Sequence, residues 1–419
     1  MTGSFTDVSQ KRIPVADIEL GMFVSKLDRR WEDTPFIFQG FQVVHNDEID
    51  QLRQTCDHVY IDVKQTIDIK HNKHAVGATH KKRYIDTISF EQEMPTAVSA
   101  YKRTKEQLDS ILSSLRMGYD LDENKVRSLV KECVESVIRN SSALIWLTQI
   151  KQRDDYTAEH SLRVAIMAIA FGRDLELLEV ELENLGICGL LHDVGKVKIP
   201  LNILNKEQRL TQQEFLLMRS HPAQGRKLLM SKSQSLSKAV DVAYTHHERI
   251  DGKGYPRGIT SEKIPYFAKI VAIVDAFDAI TSDRCYRNGR SSLEGLRIIY
   301  DDRGKHFDRE LSEKFVRFVG VYPPGHIAEL NTGHAGIILS CSGDSKLRPK
   351  LLIVRDKHKK PCPEKVLDLE FQDRLPDGTP LHVREVHADG TFGIDLKFYR
   401  DKGLRIWEEP VLFRPEATV

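Results

Sequence analysis

Two adjacent histidines, His246 and His247, end a helical stretch and precede a tight loop that is rich in glycine. The segment reads AYTHHERIDGKGYP over residues 243–256. Neighbouring imidazoles leave one helix end in different directions, so a hydrophobic core rarely accommodates both of them. A metal site accounts for both rings, because neutral imidazole is the commonest metal ligand in proteins. The segment therefore favours a helical fold in which helix ends converge on metal.

Other histidines and acids stand at helix ends between residues 156 and 278. Asp275 is the strongest anomaly, because it interrupts the apolar run Ile270–Val274 and a buried carboxylate is costly unless it is paired or metal-bound. Each residue alone has an ordinary explanation as a cap, a core histidine or an ion-pair partner. Taken together, the predicted metal ligands are His160, His192, Asp193, His221, His246, His247 and Asp275.

Imidazole and carboxylate ligands without thiolates suit iron, manganese, zinc or nickel and do not single out one of them. We expect Asp193 to bridge two ions, one completed by His160, His192 and Asp275 and the other by His221, His246 and His247. Two ions about 3.5–4 Å apart can hold a bridging hydroxide that attacks a phosphate ester. The pattern predicts a dinuclear phosphodiesterase with Asp193 as a catalytic residue.

Three cations follow the predicted ligands closely. Lys196 comes directly after the His-Asp pair, and Arg284 and Arg287 lie just beyond the helix of Asp275. Cations near the scissile phosphate would stabilise its transition-state charge. Lys196 is therefore predicted to be catalytic, and all three are predicted to bind substrate, although a solvated surface role is the ordinary alternative.

The glycine loop has two readings that the sequence leaves open. Gly252 and Gly254 permit tight turns, and Tyr255 offers a ring for stacking on a nucleobase. Asp251 could hydrogen-bond to a ligating imidazole. Gly195, after the His-Asp pair, is expected to cap its helix in the left-handed conformation. The alternative for residues 251–256 is that they form a structural turn that never contacts substrate.

Composition excludes several classes of protein. The net charge of +1 gives no global argument for nucleic acid or an anionic membrane as partner. The six cysteines form no CxxC pair, which argues against a zinc–thiolate site and fits free thiols in a reducing compartment. The N-terminus carries no signal-peptide pattern, and no apolar run approaches the roughly 18–20 residues of a membrane span. We expect a cytoplasmic protein with no membrane span.

The pattern of hydrophobic residues predicts a multidomain α+β chain. The expected parts are a small N-terminal α/β domain, a linker, a helical connector, an all-α central domain and a β-rich C-terminal appendage. Their predicted limits are residues 1–70, 71–95, 96–140, 141–328 and 329–419. The N-terminal domain is the natural place for regulation, whereas the appendage carries no recognisable chemistry.

Five separated blocks in the central domain resemble the HD-GYP family of HD-type metal-dependent phosphohydrolases. They are YTAEHS (156–161), HDVGK (192–196), HPAQG (221–225), HHERIDGKGYP (246–256) and DAFDAITSDRCYR (275–287). Residues 11–63 also resemble a domain of unknown function that often precedes such domains. The resemblance implies an HD-type helical fold, two or three metals, often iron or manganese, and hydrolysis of cyclic di-GMP to linear pGpG, sometimes onward to GMP.

The resemblance also implies a role in bacterial signalling that controls motility and biofilm growth. Some members carry a glutamate four residues before the first metal histidine, where this chain has Tyr156, so we expect two metals. Another cyclic dinucleotide such as 3'3'-cyclic GMP-AMP, or a receptor role without catalysis, remains an alternative. The sequence leaves two further associations open. One is a diguanylate cyclase-type partner that binds the GYP loop, the part of the glycine loop at residues 254–256, and the other is a homodimer.

Overall fold

The structure is a computed structural model that describes residues 10–29, 34, 41–43, 46–62, 82–150, 156–206, 208–232, 236–282, 289–341 and 347–401. The chain forms two compact units. The first unit comprises Met1–His80, Gly320–Tyr322 and Cys341–Pro349, and the second comprises Lys81–Val319, Pro323–Ser340 and Lys350–Val419. Each unit is described separately below, within the ranges given above.

The first unit contains an antiparallel sheet in the order β1-β4-β2-β3 and one helix. Apolar side chains that alternate along the strands, such as Val24 and Val59, are fully buried against Leu52 of the helix. The strands and helix within the described residues confirm the expected small N-terminal α/β character. The elements are β1 (Gln10–Pro14), β2 (Phe23–Leu27), β3 (Phe41–Gln42), α1 (Asn46–Thr55) and β4 (His58–Asp62).

The second unit is built mainly of helices, with a sheet near its C-terminal end. The helices before the sheet are α2 (Phe90–Arg116), α3 (Glu123–Arg139), α4 (Ala143–Thr148), α5 (Tyr156–Asp174), α6 (Glu179–Leu191), α7 (Leu201–Leu204), α8 (Gln212–Met218), α9 (His221–Lys232), α10 (Ser237–Thr245), α11 (Tyr266–Thr281), α12 (Ser292–Asp301) and α13 (Arg309–Val319). No described helix combines the length and the hydrophobicity needed to cross a bilayer. The expected central helical domain is confirmed.

Side-chain caps set several helix starts. Asp122 accepts a hydrogen bond from the backbone N–H of Lys125 at the start of α3. Helix α2 begins at Phe90, six residues before the predicted change of pattern at Thr96, because Ser89 and Gln92 form a capping box. Pro95 lies inside this helix. Because proline normally disfavours helix interiors, its presence led the sequence analysis to place the helix start too late.

Helix α5 is the centre of the second unit, and residues 158–172 are all buried. Helix α6 follows after a short connection and packs closely along α5. The approach is close because Gly189 lacks a side chain: a Cβ there would lie 2.7 Å from Cα of Ala165. This packing brings His192, at the end of α6, beside His160 near the start of α5, with ring centroids 5.4 Å apart.

The C-terminal sheet is antiparallel and has the order β8-β7-β6-β5-β9. It belongs to the same compact unit as the helices. The predicted β-rich character of this region is confirmed, but a short helix also occurs within it. The elements are β5 (Ile327–Leu330), β6 (Ala335–Ser340), β7 (Lys350–Arg355), β8 (Pro361–Asp368), β9 (Val383–His387) and α14 (Leu396–Asp401).

Candidate metal centre

The structure brings the seven predicted ligands together in two clusters. One cluster contains His160, His192 and Asp275, and the other contains Asp193, His221, His246 and His247. Within each cluster the potential ligand atoms lie within 4.8 Å of one another. The partition is the one expected from the sequence, with the seven side chains contributed by α5, α11 and the ends of α6, α9 and α10.

The first cluster surrounds the carboxylate of Asp275. Its Oδ1 lies 3.1 Å from Nε2 of His160 and 3.8 Å from Nε2 of His192. Both imidazoles are buried, and Asp275 is largely so. The three side chains therefore point ring nitrogens and a carboxylate oxygen at one small volume.

Asp193 lies between the two clusters. Its Oδ1 is 3.3 Å from Nε2 of His221 and 3.8 Å from Nε2 of His246. Its Oδ2 faces the other way, 3.3 Å from Nε2 of His192 and 3.7 Å from Nε2 of His160. One carboxylate thus presents a different oxygen to each group of histidines, which is the geometry that a bridging ligand requires.

Backbone carbonyls orient three of these rings. Nδ1 of His192 donates to the carbonyl of Gly189 at 2.7 Å, and Nδ1 of His221 donates to that of Met218 at 2.8 Å. Nδ1 of His246 lies 3.1 Å from the carbonyl oxygens of the residues three and four positions earlier. Because carbonyls only accept, Nδ1 carries the proton in each ring and Nε2 offers a lone pair to the shared volume.

Electrostatics favour neutral imidazoles in the second cluster. Burial lowers the pKa of His221 to about 4 and that of His247 to about 3, and it holds the pKa of His246 well below its usual value. Burial would raise the pKa of Asp193, but the positive charge of Lys196 and the histidine contacts outweigh it and hold the pKa low. The cluster therefore presents ring lone pairs and an ionised carboxylate, the forms that bind metal.

His160 differs electrostatically from these rings. Burial would lower its pKa, but hydrogen bonds with Asp275 and Asp278 outweigh that effect and raise the pKa to about 9. The pKa of Asp275 is held below its usual value, since the contact with His160 outweighs burial. Two carboxylates thus bracket this ring at its two nitrogens.

Two buried polar atoms at the centre lack hydrogen-bond partners among the described residues: Nε2 of His192 and Oδ1 of Asp193. Leaving such atoms unsatisfied costs about 1–3 kcal/mol each. A divalent cation between the rings and carboxylates would satisfy both, because each atom is an electron-pair donor. The nitrogen and oxygen donors therefore fit one or two transition-metal ions.

Comparison with known proteins identifies the family to which this chain belongs. Residues 141–311 match the family described as HD domain, and residues 10–126 match a domain of unknown function, DUF3391. A cyclic di-GMP phosphodiesterase of Pseudomonas aeruginosa is 37% identical to this chain over 86% of its length and 89% of the relative's. This chain belongs to the HD-GYP family of HD-domain proteins. The family predicted from the sequence blocks is confirmed.

Two further similarities accompany this HD-GYP assignment. A cyclic di-GMP phosphodiesterase of Thermotoga maritima is 34% identical over 50% of this chain and 56% of the relative. A solved structure of an HDG"Y"P protein from Bdellovibrio bacteriovorus has a TM-score of 0.40 and 15% identity, covering 73% of this chain and 98% of that chain. The DUF3391 match extends beyond residues 11–63 through α2 into α3.

Lys196 of this HD-GYP protein donates to Oδ2 of Asp193 at 2.5 Å. The intervening Gly195 lies in a 3₁₀ turn, Val194–Lys198, so the predicted left-handed cap is wrong. The glycine is required for a different reason: a Cβ there would lie 1.9 Å from the carbonyl oxygen of His221. This backbone contact holds the Asp193 turn against the start of α9.

The HD-GYP glycine loop is anchored by a buried carboxylate. Glu248 accepts hydrogen bonds from the backbone N–H groups of Arg257, at 2.7 Å, and Ile259, at 3.2 Å. Gly254 permits the tight fold, because a Cβ there would lie 2.3 Å from the backbone nitrogen of Arg249. The ring of Tyr255 then stacks on His247 with centroids 4.7 Å apart. Its contact with substrate stays a prediction.

Asp251 does not support an imidazole, so that expectation is wrong. Its carboxylate pairs with Arg249, with oxygen–nitrogen distances of 2.7 and 3.0 Å, and accepts from the backbone of Lys253. Arg284 and Arg287 lie outside the described residues, and their contact with substrate stays a prediction. Tyr156 is the first residue of α5, and its side chain also lies outside the described part.

Sequence reasoning missed the residues that support His160. Asp278 lies 2.7 Å from Nδ1 of this ring and also accepts from Arg163 at 2.7 and 3.0 Å. Glu159 is buried on the other side of Arg163, 3.9 Å from its guanidinium. The spacing of Asp275 and Asp278, three residues apart on α11, was the available signal, but it did not reveal the partner 118 residues earlier.

Proposed function

We propose that this chain is a metal-dependent phosphodiesterase that hydrolyses cyclic di-GMP to linear pGpG. The observation that carries the proposal is the position of Asp193, whose two carboxylate oxygens face two separate groups of histidines. Such an arrangement serves a dinuclear centre that cleaves phosphate diesters. The substrate class comes from the Pseudomonas relative, which is a cyclic di-GMP phosphodiesterase and aligns over most of both chains.

The proposed centre holds two divalent ions, iron or manganese, with zinc or nickel as alternatives. His160, His192 and Asp275 would hold one ion, and His221, His246 and His247 the other, with Asp193 shared. Bound there, the two ions would polarise the phosphate and supply a nucleophile at neutral pH. The ionised Asp193 and Asp275 would offset part of the charge of the ions.

Cationic side chains beside the centre would bind the phosphate of the substrate. Lys196 reaches Asp193 from the edge of the cluster and is partly exposed, so its ammonium can turn towards a bound phosphate. A cation there stabilises the charge that grows on the phosphate oxygens. We assign the same role to Arg284 and Arg287.

The proposed setting is the bacterial cytoplasm, where lowering cyclic di-GMP would favour motility over biofilm growth. The described cysteines are all free thiols, which supports a reducing compartment. The DUF3391 segment is the proposed regulatory region. Association with a diguanylate cyclase-type protein at the GYP loop, and formation of a homodimer, are secondary proposals that size measurements and pull-down of purified proteins would test.

The test is anaerobic purification, measurement of metal per chain, and incubation with cyclic di-GMP and 3'3'-cyclic GMP-AMP in parallel. About two metals per chain and the appearance of pGpG are expected. Preferential cleavage of 3'3'-cyclic GMP-AMP would show that the mixed dinucleotide is the substrate. Tight binding of a dinucleotide without product would show that the protein is a receptor and not an enzyme. Protein without bound metal and without activity after reconstitution would overturn the proposal.

A further inference from the structure

Arg219 connects the exposed helix α8 with the aromatic side of the metal centre. Its guanidinium carbon lies 4.3 Å from the ring centroid of Tyr255 and 5.8 Å from that of Phe215. Tyr255 in turn stacks on His247. The guanidinium is therefore one ring away from a predicted metal ligand and within cation–π distance of the intervening ring.

The donors of this guanidinium have no acceptor within the described part of the chain. Other arginines near the centre are paired: Arg163 with Asp278 and Arg249 with Asp251. Arg219 makes aromatic contacts instead, and no described carboxylate lies within ion-pair distance of it. A planar fork of N–H donors that lies beside aromatic rings and has no described acceptor is suited to bidentate recognition of a ligand.

The surface around Arg219 is apolar and exposed. Helix α8 has no buried residue, and the side chains of Phe215 and Leu216 are 51% and 59% exposed. Helix α8 ends just before His221, and the carbonyl of its last residue, Met218, lies 2.8 Å from Nδ1 of that ring, so the end of this helix adjoins the metal centre. An aromatic ring beside an arginine fork suits a purine, because the base can stack on the ring while its edge accepts hydrogen bonds.

We infer that Arg219 and Phe215 form a subsite for one guanine of the cyclic dinucleotide, with Arg219 donating to O6 and N7 of the base. This inference rests on the proposed function and specifies its base preference. Guanine presents two acceptors on that edge, whereas adenine presents N7 and an amino donor that opposes the arginine. The subsite thus selects guanine over adenine, which the sequence alone could not decide.

The experiment compares three substrates in wild type and in Arg219→Ala: cyclic di-GMP, cyclic di-AMP and bis(4-nitrophenyl) phosphate, which has no purine. In the variant, kcat/KM for cyclic di-GMP is expected to fall about tenfold to a hundredfold more than kcat/KM for the purine-free diester. The preference for cyclic di-GMP over cyclic di-AMP should shrink by a similar factor. Arg219→Lys should lose the same preference, because an ammonium cannot make the forked contact.

The matched control is Arg226→Ala. Arg226 also lies over an aromatic ring, 4.6 Å from the centroid of Tyr244, and is exposed on α9, but it has no assigned role at the centre. Its kinetic constants should match those of wild type. Metal content and the far-ultraviolet circular dichroism of all variants should be equal, which excludes loss of the fold as the cause.

The outcomes separate the two proposals. Equal losses on all three substrates in Arg219→Ala, or no loss, would overturn the guanine subsite while leaving the phosphodiesterase in place. A wild type that cleaves none of them would overturn the proposed function, and calorimetric titration with cyclic di-GMP and cyclic di-AMP would then test the subsite by binding. In that case equal affinities of wild type and Arg219→Ala for cyclic di-GMP would reject it.

Discussion

Asp278 and His160 form a hydrogen bond of 2.7 Å between Oδ2 and Nδ1, and this contact determines how the ring faces the metal centre. Asp275, three residues earlier on α11, meets the other nitrogen of the same ring at 3.1 Å. One helix therefore holds one imidazole by both of its nitrogens. The arrangement suits a supporting role for Asp278 beside the proposed ligating role of Asp275.

Replacement of Asp278 by asparagine should weaken metal binding without removing a predicted ligand. The amide cannot carry the negative charge that orients His160 and pairs with Arg163. Loss of such a supporting contact typically lowers metal affinity or activity about 10- to 100-fold. Competition with a chelator of known affinity measures the change. Asp241→Asn, at an exposed position on α10, is the control, and equal affinities of both variants would contradict the prediction.

Lys105 on α2 should contribute to stability through the buried Glu159. Its ammonium lies 3.7 Å from the Glu159 carboxylate, which Tyr101 also contacts at 3.4 Å. Lys105→Met removes a positive charge beside a buried negative one, so the free energy of unfolding should fall by about 1–3 kcal/mol. Urea unfolding followed by circular dichroism measures this.

The control for Lys105 lies on the same helix. Lys102 is 77% exposed and faces Glu106 at 4.0 Å, so Lys102→Met should change the free energy of unfolding by less than about 1 kcal/mol. If the two substitutions cost the same, the buried pair would contribute nothing beyond an ordinary surface charge.

His192→Ala and Asp193→Ala should each abolish phosphodiester turnover while the helical circular dichroism persists. The first removes a ring whose Nε2 faces the centre, and the second removes the carboxylate shared by both clusters. Asp193→Asn should also be inactive, since it keeps the shape but loses the charge. Full activity in any of the three variants would refute the ligand assignment.

Glu248→Gln should loosen the glycine loop. The carboxylate accepts two backbone hydrogen bonds, from Arg257 and Ile259, and an amide leaves one of them without a good acceptor. Amide hydrogen exchange at these two positions should accelerate about tenfold or more, as expected for the loss of roughly 1.4 kcal/mol of local stability. Glu262→Gln, at an exposed position nearby, should leave both rates as they are in wild type.

The sequence predicted those parts of the centre whose chemistry is locally anomalous. The paired imidazoles of His246 and His247 and the acid at Asp275 are poorly explained by a core, so a metal was the simplest cause for all three. From the sequence, the predicted ligands divide into two groups because one carboxylate, that of Asp193, could be shared between two ions. The structure brings these residues together as the sequence analysis expected.

The supporting residues could not be found in this way, because their roles depend on neighbours that are distant in the chain. Asp251 and Asp278 are both acids close to predicted ligands, yet only Asp278 meets a ring. The close approach of Gly195 to His221 is equally invisible before the helices are placed. Helix α14 was missed for another reason, since six residues are too few for a clear helical period.

The separation of the ligands along the chain has a consequence for biosynthesis. His160 and Asp275 belong to helices whose residues are made far apart in time, and both contribute to one cluster. A nascent chain that has released only α5 and α6 from the ribosome holds two of that cluster's three ligands. The first cluster can be completed only after α11 has emerged, whereas the four residues of the second cluster all precede α11, so the chain can assemble the two halves of the proposed centre in order.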